Sequence, residues 1–114
     1  MNANEIMLIG GRPMFYAPNG QPISLVLYEE LSAIDFMRRV ALDSFITYDG
    51  HAVDVSTVFL FHDHGFRGGP PVIWETMVFG YPGEGQYRYT SPIDAIKGHI
   101  EICKALRDGP PDHV

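Results

Sequence analysis

The residues best suited to chemistry in this 114-residue chain gather in its middle and near its end. His62, Asp63 and His64 close one apolar run, Glu75 lies inside the next, and His99 falls in the last amphipathic stretch. Imidazole nitrogens and carboxylate oxygens are the usual ligands of zinc and related ions, so His64, Glu75 and His99 form a candidate site for a divalent metal or for acid-base chemistry. The plainer reading makes Asp63, His64, Glu75 and His99 a structural polar network. A carboxylate inside an apolar strand is costly unless it has a partner or solvent. If an extended strand runs through residues 62 to 64, His62 and His64 share a side and Asp63 points away. The spacing matches neither a helix-borne zinc-protease motif nor a cysteine-rich zinc module.

Other chemistries find less support. Cys103 is the single cysteine, so no internal disulfide forms, and its apolar helical setting reads as a buried thiol in a chain compatible with cytoplasmic conditions. Ser56 reads as a strand residue and Ser91 as a helix cap, and there is no G-x-S-x-G elbow or phosphate-binding loop. Asp63 with Glu75 suggests a nuclease carboxylate pair, but Met77 stands two residues beyond Glu75, where a lysine would be useful. Eight Lys and Arg against fourteen Asp and Glu give a formal charge of −6 without a basic run, which disfavours nucleic acid, a local patch of Arg38, Arg39 and Arg88 notwithstanding. Trp74, Tyr81, Tyr87 and Tyr89 are candidates for a protein-binding surface, with core and rim packing as the plainer role.

These groups must be held by a small number of elements. Asn19-Gly20 between short apolar pieces marks a tight turn, and Ser24 caps a helix expected over Leu25 to Phe36 with Leu27, Leu31 and Ile34 on its inner side. Alternation predicts strands through residues 40–47, 53–61, 72–79 and 86–90, broken at Asp49-Gly50, at the Gly65–Pro71 connection and at Gly80–Gly85. Ser91, Pro92 and Asp94 begin a second helix, whose apolar stripe reads Ile93, Ile96, Ile100, Cys103 and Leu106, and Gly109 with two prolines ends it. The expectation is one α+β domain over residues 1–114, a mixed, mainly antiparallel sheet packed against two principal helices. No run approaches transmembrane length, so no membrane partner is expected; oligomeric state is open, a homo-oligomer included.

Four segments together, PNGQPIS at 18 to 24, VSTVFLFHDHGF at 55 to 66, GGPPVIWETMVFG at 68 to 80 and RYTSPIDAIKGH at 88 to 99, resemble a group of small proteins of tailed phages and bacterial prophages. In that pattern Asp63, His64, Glu75, Thr76 and His99 occupy motif positions, while His62 stands where an apolar residue is usual. The resemblance implies an accessory protein in the host or bacterial cytoplasm that binds a host or phage protein, as an inhibitor or as a small virion component. It supplies no reaction. A metal-assisted enzyme using His64, Glu75 and His99 is the alternative expectation.

Overall fold

Runs of alternating apolar residues, cut by turns of Gly, Pro, Asp and Asn, build the sheet that carries the site. The computed structural model describes residues 5–34, 38–65, 69–83 and 85–110. Strands β5 (Arg39–Ile46), β6 (Ala52–Phe59), β7 (Trp74–Phe79) and β8 (Gln86–Tyr89) form one antiparallel sheet in that order. The β5–β6 turn is fixed by its own polar groups. Thr47 N donates to His51 O at 2.8 Å, Gly50 takes φ +91°, and Thr47 Oγ1 and Tyr81 Oη donate to the two Asp49 oxygens at 2.7 and 2.8 Å. The Thr47 hydroxyl, helped by Tyr81, holds the Asp49 carboxyl down at about 2.

Strand alternation then sorts the residues onto two faces. Register pairs Val55 with Asp43 and Val78, and Thr57 with Ala41 and Thr76, so these share one face. Val58, Glu75 and Arg88 are paired across the other. Helix α2 (Pro92–Asp108) covers the first face, with Ser91 accepting from Asp94 N, Pro92 in the first turn and Gly109 at φ +79° as its end.

The rotation of α2 departs from the expected stripe. Ala95, His99 and Cys103 are the buried residues, with Ile102 and Leu106 packed beside Val53, Val55 and Val78. Ile93, Ile96 and Ile100 are 64, 47 and 60% exposed. Close approach explains the turn: a Cβ at Gly98 would lie 2.3 Å from Tyr89 Oη, and Ala95 is fully buried. Small residues let the helix axis come down onto β8 and the Trp74 end of the sheet, where three isoleucines would hold it off.

The N-terminal third closes one end of the sheet. It contains the two-stranded ladders β1 (Leu8–Ile9) with β2 (Arg12–Pro13) and β3 (Phe15–Tyr16) with β4 (Pro22–Ile23), the latter joined through Asn19-Gly20 with Gly20 at φ +84°. Helix α1 (Leu25–Ser32) follows, its N-terminus capped by Ser24 Oγ accepting from Leu27 N. Residues 35 and 36 of the expected helix lie outside the described residues. The inner side is Leu25, Tyr28 and Leu31, and Tyr28 stacks on Phe15 at 4.2 Å; Leu27 and Ile34 are each 39% exposed. Phe15, Tyr16 and Ile23 join Phe59, Phe61, Ile73, Trp74 and Ala95 in one cluster. The fold is α+β, two helices packed against antiparallel sheet, every ladder among the described residues being antiparallel.

Candidate metal centre

The concentrated chemistry lies where the edge strand β5 meets α2. Asp43 projects from the helix-facing side of β5, opposite Val55. His99 and Cys103 stand one turn apart on the same side of α2, 4 and 5% exposed. His99 Nε2 is 2.7 Å from Asp43 Oδ2, Cys103 Sγ is 3.8 Å from the same oxygen, and one donor atom from each residue lies within 4.8 Å of the others. Behind the ring, His99 Nδ1 is 2.7 Å from Thr57 Oγ1, which is 2.5 Å from Thr76 Oγ1. The His99 hydrogen bond holds the Asp43 carboxyl below its usual range, partly opposed by desolvation. Burial, and then the Asp43 charge, push the Cys103 thiol up.

Carboxylate, imidazole and hydroxyl in sequence have the order of a nucleophilic triad. The geometry rejects that reading, because Thr57 is 0% exposed and no substrate carbonyl can reach its oxygen. Burial and the Asp43 charge raise the Cys103 pKa and so disfavour the thiolate that a nucleophile would need. Metal ligation suits the three donors better. Oxygen, nitrogen and sulfur form a borderline-soft set of the zinc type, and tetrahedral bonds to them set the donors about 3.3–3.8 Å apart. Asp43 and Cys103, 3.8 Å apart, already lie at that spacing; Asp43 and His99, at 2.7 Å, would have to open, and the set as a whole, its donors within 4.8 Å of one another, to adjust around the ion. The three residues line a surface depression of about 390 Å³ with Ile100, Lys104, Arg107 and Asp108, so a further coordination position would face solvent.

The buried hydroxyls orient the ring, as the outer partner of a metal-bound histidine does. In a neutral ring, Nε2–H donates to Asp43 and Nδ1 accepts from the Thr57 hydroxyl. With Nε2 on a metal, the proton sits on Nδ1 and Thr57 accepts it, its own proton turning to Thr76. A hydroxyl pair serves either arrangement without moving a heavy atom.

His64, Glu75 and His99 do not converge. Glu75 is one residue from Thr76 and so faces away from His99, across the sheet. It accepts from Arg88 Nε at 3.0 Å and Gln86 Nε2 at 2.8 Å, cross-strand partners that account for a carboxylate only 6% exposed. Asp63 organises the Gly/Pro connection: its Oδ1 accepts from Gly65 N and Val72 N, both at 2.8 Å, and its Oδ2 from Arg12 at 2.9 Å. β6 ends at Phe59, Phe61 takes φ +67°, and His64 N donates to Val72 O. The His62 and His64 rings lie 4.5 Å apart, with His62 Nδ1 and His64 Nε2 buried and without a hydrogen-bond partner among the described residues; burial lowers the His62 pKa. The expected single network is thus three: Asp63 with Arg12, Glu75 with Arg88, and His99 with Asp43 and Thr57.

The aromatic candidates also separate. Trp74 is 5% exposed and packs on Phe59 at 4.7 Å, a core residue rather than a contact surface. Tyr89 packs beside the Trp74 cluster and Gly98, Tyr81 holds Asp49, and Tyr87 is 46% exposed. Asp43 and Cys103 are the site residues that the sequence reading passed over. Their signals were a carboxylate within the Ala41–Phe45 alternation and the His99-x-x-x-Cys103 spacing.

Comparison of the chain with protein-family models, with curated proteins and with solved structures found no match. Among the described residues, no helix is long and apolar enough to cross a membrane.

Proposed function

We propose that this chain binds one divalent transition-metal ion, zinc by the character of its donors, through Asp43, His99 and Cys103, and is a metal-assisted enzyme whose substrate enters from the β5–α2 depression. The observation that carries the reading is the approach of three different donor atoms within 4.8 Å at a partly open wall. The His99 ring is already aimed by Thr57. A zinc ion there would act as a Lewis acid and lower the pKa of a bound water to about 7. Equilibrium dialysis against Zn²⁺ tests it: one ion per chain is expected, with Asp43→Asn and Cys103→Ser each weakening retention about tenfold or more. Stoichiometric binding unaltered by both substitutions, or no retained ion, overturns it.

A second reading rests on the phage-protein resemblance: an accessory protein that binds a host or phage protein in the bacterial cytoplasm. It is favoured by an apolar-walled depression of about 230 Å³ bordered by Tyr81, Pro82, Tyr87, Ile102 and Leu106, beside the exposed Tyr87 ring. Pull-down from infected cells should yield a saturable partner that Tyr87→Ala releases. A partner retained by that variant counts against this surface.

A further inference from the structure

The depression at the meeting of β5 and α2 holds two cations that metal ligation does not use. On α2, His99, Cys103 and Arg107 follow one another at steps of four and so stand in one row, with Lys104 three residues before Arg107. All four line the depression together with Asp43 and Asp108. The Arg107 guanidinium carbon lies 4.8 Å from the centre of the Phe45 ring of β5, a contact that holds the group beside the depression. Among the described residues neither Lys104 nor Arg107 has a hydrogen bond or an ion pair, even though Asp108 stands four residues beyond Lys104. The five N–H groups of Arg107 and the ammonium of Lys104 therefore remain open to a ligand.

We infer that the depression recognises a phosphate group through Lys104 and Arg107, so that the substrate of the site is a small phosphate monoester. This rests on the metal-assisted reading for the role of the site, and adds the chemical class that the site takes. Arginine presents a fork of donors that matches two phosphate oxygens, and lysine adds a point charge beside it. A basic residue in the last turn of a helix complements the helix dipole, which accounts for Arg107 by itself. It does not account for two unpaired cations lining the same depression as three donors.

Charge and size select the class. The Asp43 carboxylate and the Cys103 thiolate together cancel the two charges of a zinc ion, which leaves Lys104 and Arg107 facing Asp108 alone. A phosphate monoester carries about −1.5 to −2 at neutral pH, whereas a carboxylate carries one charge and offers fewer oxygens. A depression of about 390 Å³ lies within the range of roughly 300–1,000 Å³ usual for small-molecule sites. Two of the chain's eight Lys and Arg meet at this place, while its formal charge is −6. That balance suits a compact anion and repels an extended polyanion such as nucleic acid.

Calorimetric titration of inorganic phosphate into the full chain tests it, with the protein either metal-free or loaded with Zn²⁺ and freed of excess ion. The zinc-loaded chain is expected to take one phosphate saturably, and acetate at least about tenfold more weakly. Arg107→Gln is expected to raise the phosphate dissociation constant by about tenfold or more, and Lys104→Gln by about threefold or more. Both side chains are exposed and neither is a donor to the ion, so both variants keep the parent's circular dichroism and zinc stoichiometry. Zinc retained without saturable phosphate overturns the inference and leaves the metal centre standing. Phosphate bound by Arg107→Gln at the parent's affinity also overturns it, because the metal alone would then hold the anion, and so does acetate bound as tightly as phosphate. Phosphate bound through Arg107 by a chain that retains no zinc supports the phosphate site and overturns the metal centre.

Discussion

His99 joins two unlike environments, with Asp43 half in solvent on one side of its ring and two sealed threonine hydroxyls on the other. That position fixes the ring and leaves the Asp43-facing nitrogen as a ligand. Because the Cys103 thiol is pushed up, metal must displace its proton. Zinc affinity is therefore expected to rise with pH through the neutral range and to fall as the thiol is left protonated; competition titrations against a chelator at several pH values measure this. A pH-independent affinity counts against thiolate ligation. Glu75 makes the contrasting case. Glu75→Gln removes the charge facing Arg88 and is expected to cost about 1–2 kcal/mol, read from chemical denaturation, with zinc stoichiometry unchanged. Loss of metal in that variant would return Glu75 to the site. The sequence showed which groups needed partners, Glu75 above all. It did not show which partners, because Arg88 is set by strand register and Asp43 by the crossing of a helix over an edge strand.

Elements were legible where local chemistry decides them. Ser24 and Ser91 cap their helices, Asn19-Gly20 and Asp49-Gly50 turn the chain, and β5 to β8 lie close to their expected spans. Helix rotation was less legible, and both helices show why. An apolar stripe reports what avoids water, whereas Ala95 and Gly98 report how near a helix can come to a sheet, and on α2 these criteria select different faces. Gly98→Ala tests that statement. Its Cβ would overlap the Tyr89 ring, so the added methyl should destabilise the chain by about 1–3 kcal/mol despite the better helix propensity of alanine. Thermal melts decide the sign; a stabilised variant would mean that α2 is not seated on Tyr89.

At the scale of the molecule, the α+β architecture followed from four alternating runs and two capped helices. The site did not, since its residues come from positions 43, 57, 76, 99 and 103 and meet only when the sheet is assembled beneath α2. The same assembly leaves Ile93, Ile96 and Ile100 of α2 exposed. Metal binding is the central claim, and cobalt substitution tests it most directly. Chelator-stripped protein loaded with one equivalent of Co²⁺ is expected to show a thiolate-to-cobalt charge-transfer band and tetrahedral visible absorption, with the band lost in Cys103→Ser and binding lost in His99→Gln. A spectrum of hexa-aquo cobalt in the folded parent, or a charge-transfer band that survives Cys103→Ser, would contradict the account.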